Sequence, residues 1–184
     1  TGVQTCALPI WALLPWALGA AWLGLRRGRS GWLAVSAIFC AAAVSINFYG
    51  ATALALMFPF LAWAVFLAER DWWVWLRGAA IALLAYGLTA FWLSPSYLEI
   101  TTRNLRWVSQ PGHLWSAILA IALISLYAVL TWRKAHGQPQ RAWFVFVAGF
   151  AMLFTLNVAG QNHFDFRVAG EPQRLAPELD LALI

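Results

Sequence analysis

Ala51-Thr-Ala-Leu-Ala-Leu-Met-Phe-Pro-Phe-Leu-Ala-Trp-Ala-Val-Phe-Leu-Ala68 carries no charge along its whole length and is closed abruptly by Glu69-Arg70-Asp71. A run this long approaches the roughly 20 residues a helix needs to cross the hydrocarbon core of a bilayer. Its apolar side chains do not alternate, as those of a barrel strand would. In lipid every backbone N–H and C=O must be satisfied within the segment or in a closed barrel, so this stretch is expected to be helical. Pro59 sits near its middle, removes one backbone donor and predicts a kink with a packing role.

Working outward, comparable blocks fill residues 11 to 25, 31 to 46, 74 to 93, 114 to 132 and 142 to 159, and a seventh is expected to begin near Leu175. The fold class that follows is all-α: a polytopic transmembrane helix bundle of about six spans plus the start of another. Of the 184 residues, 62% are hydrophobic and 10% charged, against about a quarter charged in soluble domains. That balance excludes an ordinary water-soluble domain. Residues 11–184 read as one membrane domain, with no linker, repeat or low-complexity run. Thr1 to Ile10 (TGVQTCALPI) matches the translation of a short-read sequencing adapter and is set aside as a scar. The last residues, Asp180-Leu-Ala-Leu-Ile184, open a new apolar run, so truncation is expected at both ends.

Outside the first ten residues the cysteine is Cys40, inside an apolar block, and no disulfide or zinc framework can be built from it. The net charge of +5 does not point to nucleic acid, because the basic residues lie in short breaks between apolar blocks rather than on one continuous face. Membrane lipid is the partner they fit. On one side of the expected bilayer fall eight: Arg26, Arg27, Arg29, Arg70, Arg77, Arg133, Lys134 and Arg141. On the other fall four: Arg103, Arg106, Arg167 and Arg174. The side with eight is expected to be cytoplasmic, in a bacterial inner membrane. Trp32, Trp72, Trp73, Trp75, Trp92, Trp107, Trp115, Trp132 and Trp143 lie at or near span ends, where amphipathic rings favour the interface; Trp63 lies deeper.

The spans hold essentially no ionisable group, which weakens an ion-coupled transporter with its carboxylates near the midplane. Asn47 and Asn157 fall near span ends and suit capping or interhelical hydrogen bonds. Polar chemistry is concentrated in two outer segments. In Ser94 to Trp107, Arg103 and Arg106 are three apart and share a face if the segment is helical, and two guanidinium forks suit a phosphate. The plainer alternative is an interfacial stretch touching lipid headgroups. In the segment from Gly160 to Asp180, His163 and Asp165 are two donors for a divalent metal, with no third identified. Asp165 or Glu171 has the position of a base. Pro177-Glu178-Leu179-Asp180 reads as a helix start. No Gly-rich phosphate loop, HExxH, GxSxG or dinucleotide fingerprint is present.

The strings Asn47-Phe-Tyr-Gly-Ala-Thr52, Phe91-Trp-Leu-Ser-Pro95 and Gly170-Glu-Pro-Gln-Arg-Leu-Ala-Pro-Glu-Leu-Asp180, set among Trp-rich spans, resemble bacterial multi-pass proteins of the GT-C glycosyltransferase type and the related pterin-synthase-related or YfhO-like membrane proteins. The resemblance implies sugar transfer from a polyprenyl-phosphate carrier at the outer face, often with a divalent metal. It also implies a catalytic carboxylate in a first outer loop that would precede this chain, so Glu99, Asp165 and Glu171 are not given that role. The resemblance leaves Arg103, Arg106, Arg167 and Arg174 to hold the carrier phosphate, with Glu99, His163, Asp165 and Glu171 beside them as substrate contacts. A lipid or polysaccharide transporter and a non-catalytic assembly subunit are the competing expectations.

Overall fold

The computed structural model describes residues 7–46, 48–91, 93, 94, 96, 99, 100, 103 and 114–164. Among them every regular element is helical: α1 (Ala7–Arg27), α2 (Ser30–Ile46), α3 (Phe48–Glu69), α4 (Trp73–Thr89), α5 (Leu114–Ala135) and α6 (Ala142–Phe164), with a 3₁₀ turn at Pro139–Arg141 before α6. Three stretches, Gly50–Glu69, Ile118–Ala135 and Pro139–Val158, are long and apolar enough to cross a membrane. Ser30–Ile46 and Trp73–Thr89 are apolar but shorter.

Most expected boundaries move outward, and one moves inward. The fourth block, read as 74 to 93, ends as a helix at Thr89, where the chain turns and the Leu93 N–H reaches back to the Thr89 carbonyl at 2.9 Å. Pro95 follows in the sequence, and a proline disfavours the helical conformation of the residue before it. The last block runs to Phe164 rather than 159. Asn157 is therefore two turns inside the helix and fully buried, next to Val158 at the end of its membrane-length stretch. α1 begins at Ala7, inside the stretch set aside above, and continues through Pro15. α3 likewise continues through Pro59.

α3 is the hub, in contact with each of the other five helices. Its Met57, Leu61, Ala64 and Val65 are fully buried, and Phe66 nearly so. Apolar burial drives association weakly when the surroundings are lipid, so close packing and interhelical hydrogen bonds hold such a bundle. α1 and α2 meet through small residues: Ala17, Ala20, Ala21 and Gly24 face Ser36, Ala37, Cys40 and Ala41, all buried. A Cβ on Gly24 would sit 2.6 Å from the Ser36 hydroxyl, which is why the backbones can approach here. That hydroxyl shares its proton between the Ala20 and Trp32 carbonyls, each 2.6 Å away. On the other flank Tyr127 of α5 donates to the Val145 carbonyl of α6 at 2.6 Å, and Trp63 of α3 donates to the Thr131 hydroxyl at 3.0 Å. α5 is otherwise the least enclosed helix, with Trp115, Ile121 and Leu126 turned outward.

Candidate functional site

The turns after α1, α3 and α5 come together at one end of the bundle. A helix leaves its last four carbonyls without donors, and here three of the missing donors come from neighbouring segments. Arg77, in the second turn of α4, donates to the Leu25 carbonyl at 2.9 Å and pairs with Asp71 at 3.0 Å. Gly137, in the turn after α5, donates its N–H to the Leu67 carbonyl of α3 at 2.8 Å. Arg141 reaches the Lys134 carbonyl at 2.8 Å. Arg26 and Glu69 close the ring with a 2.6 Å ion pair between the ends of α1 and α3. Arg70 meets the His136 ring at 3.1 Å, and that ring stacks on Trp132 at 4.3 Å. Phe66 lies beneath, its centroid 4.9 to 6.0 Å from those of Trp63, Trp72, Trp75 and Trp132.

Two apolar grooves run along the bundle. One groove, of about 300 Å³, runs between α2, α3 and α4 and is lined by Cys40, Val44, Phe58, Ala85, Tyr86 and Leu93 among others. All its α2 and α4 residues belong to the halves of those helices remote from the basic turns. A second groove, of about 450 Å³, lies between α3, α5 and α6 and is bordered by Phe60, Trp63, Ile124, Tyr127 and Leu153. Ala55 and Pro59 line both. Pro59 has no N–H to give to the carbonyl four residues back, so the Ala55 carbonyl loses its helical donor where the grooves adjoin. Pro59 is ten residues from the end of α3, about 15 Å along the axis, which is close to the middle of a roughly 30 Å hydrocarbon layer.

The first groove reaches Leu93, just before the segment from Ser94 to Trp107. Glu99 and Arg103 of that segment are both in helical conformation and exposed. Arg106, Asp165, Arg167, Glu171 and Arg174 lie outside the described residues. His163 belongs to the last turn of α6, but its side chain is outside the description too. Of the eight residues singled out from sequence, Glu99 and Arg103 are the two whose side chains fall within the described part of the molecule. Among the described residues no three His, Cys, Asp or Glu side chains gather to hold a metal. The interior is equally spare in polar groups: the buried ones among the described residues are Ser36, Thr89 and Asn157.

Sequence reading did not find the ring of contacts at the basic end. Counting charges put Arg26, Arg70, Arg77 and Arg141 in one class with their neighbours, and nothing in the spacing distinguished a guanidinium that caps a helix from one that faces out. Gly28 and Gly137 were the available signal, since a glycine just past a helix end marks the left-handed cap. No family model, curated protein or solved structure matches the chain.

Proposed function

We propose that this chain is the membrane-embedded part of a multi-pass protein of the bacterial inner membrane, with its basic turns in the cytoplasm and a lipid-linked substrate bound from the outer face. The substrate class is a polyprenyl-phosphate-linked sugar, and the reaction is glycosyl transfer of the GT-C type. The observation that carries the proposal is the groove between α2, α3 and α4. It is apolar, lies in the half remote from the basic turns, and leads to Leu93 in front of the segment bearing Glu99 and Arg103. A hydrocarbon chain fits such a lining, and its phosphate would then reach the headgroup level, where Arg103 and Arg106 offer guanidinium forks. Six spans, with α1, α2 and α4 crossing beside the three longer helices, belong to the same proposal.

A transporter would need a polar route across the bundle, and the described interior, with three buried polar side chains, favours it less. The test is sugar transfer from polyprenyl-phosphate donors by the protein in proteoliposomes, comparing wild type with the Arg103→Ala, Arg106→Ala double variant. Transfer that falls sharply in the folded variant supports the proposal. A folded wild type inert toward a broad donor panel moves the assignment to transport or assembly.

A further inference from the structure

Eight basic residues gather at one end of the bundle, and the structure divides them into two sets. Arg26 is held by Glu69, Arg77 by Asp71 and the Leu25 carbonyl, Arg70 by His136, and Arg141 by the Lys134 carbonyl. The other four, Arg27, Arg29, Arg133 and Lys134, are exposed and have no acidic partner among the described residues. Glu69 and Asp71, the acids of this end, are both already paired. The free charges form two pairs, Arg27 with Arg29 on the α1–α2 turn and Arg133 with Lys134 at the end of α5.

The α1–α2 turn also has a cavity of about 640 Å³ lined by Arg29, Ser30, Gly31, Trp32 and Val35. Its lining combines a guanidinium and a hydroxyl with the apolar surfaces of Trp32 and Val35. The Arg27 guanidinium lies 5.3 Å from the centre of the Trp32 ring. That combination of anion-binding groups and apolar side chains suits a phospholipid, which offers both a charged headgroup and acyl chains. Exposed Trp72, Trp73, Trp132 and Trp143 stand at the same end, where interfacial tryptophans are favoured. A nucleic acid would require a continuous basic face, whereas these charges form a shallow collar directly above apolar helix sides.

We propose that this end binds the headgroups of anionic phospholipids, through Arg27 and Arg29 at one point and Arg133 and Lys134 at another. The inference rests on the membrane orientation proposed above and is independent of the sugar-transfer activity. The test reconstitutes the full chain in phosphatidylcholine bilayers containing phosphatidylglycerol and measures, by spin-labelled lipids, its preference for the anionic one. Wild type is expected to prefer phosphatidylglycerol, less so as salt rises. Arg27→Gln with Arg29→Gln, and Arg133→Gln with Lys134→Gln, should each weaken the preference, by about five-fold per charge removed. Arg26→Gln with Glu69→Gln should leave it unchanged. A quadruple variant that keeps the full preference overturns the inference, as does a wild type that binds heparin while showing no lipid preference. If wild type is instead extracted from membranes by alkaline carbonate, the proposed insertion into the membrane itself fails, a result separable from insertion without lipid preference.

Discussion

Gly28 and Gly137 each hold a turn in which any other residue would meet a guanidinium. Both have positive φ, 61° and 74°. A Cβ would lie 2.6 Å from Arg77 Nε at the first and 2.9 Å from Arg70 Nε at the second. Gly28→Ala combines left-handed strain with displacement of Arg77 from the Leu25 carbonyl, and should cost about 1 to 2 kcal/mol or more. Gly31→Ala, three residues on, meets open space and should stay within about 0.5 kcal/mol. Thermal unfolding of the two variants in detergent checks the contrast. Arg70 is the opposite case, a non-glycine at φ 57° whose strain is held by the His136 contact and by its N–H on the Phe66 carbonyl at 2.9 Å. Arg70→Gly should therefore relax the turn while releasing His136, so its stability should change less than that of Gly137→Ala in the same assay. The sequence marked these glycines only as punctuation, because the partner that makes them necessary is more than forty residues away in each case.

Among elements, α5 depends on a few directed contacts because so little of it is enclosed. Tyr127→Phe removes its hydrogen bond to α6 and keeps the ring packed on Phe60, 5.5 Å away. A loss of about 0.6 to 1.7 kcal/mol is expected, the range for hydrogen bonds between membrane helices, read from unfolding in mixed detergent micelles. Gly149→Ala should be worse, since its Cβ would strike both the Phe60 ring and the Tyr127 hydroxyl, while Gly19→Ala in α1, which meets nothing, should be tolerated. The helices were legible in the sequence because uncharged runs closed by charges and glycines need no partner to be recognised. Their pairing was not. A helix facing lipid on one side and other helices on the other is apolar all round, so it lacks the polar stripe that normally reveals which side packs. Ser36 and Tyr127, the residues that join neighbours, were passed over as ordinary members of apolar blocks. The same lack of contrast left the groove beside Pro59 invisible, although the proline itself was noted. Of the candidate site, Glu99 and Arg103 are exposed and stand apart from the contact ring, and the side chains of the other residues chosen from sequence lie outside the described part of the molecule.

Across the whole molecule, the ion pairs at the basic end are unequal. Arg26 and Glu69 are 44% and 32% exposed as side chains, so a double-mutant cycle should return a coupling of about 0.2 to 1 kcal/mol that shrinks with salt. Arg77→Gln should cost more than either single change at that pair, because it unties Asp71 and the end of α1 together. Denaturation in detergent at low and high salt distinguishes the two, the Arg77 effect keeping a larger salt-independent part.

Three turns fastened to one another act as a pivot. A rotation of about 5° about that point carries the far tip of a 20-residue, roughly 30 Å helix through about 2.6 Å, while residues beside the pivot hardly move. By the same geometry, any rocking of α4 about Arg77, which ties its start to Asp71 and to the end of α1, would be smallest there and greatest at Tyr86 and Thr89. In the proposed reading, the groove lined by Val44, Tyr86 and Leu93 would widen most at that end, where a long flexible chain would enter sideways from the surrounding lipid.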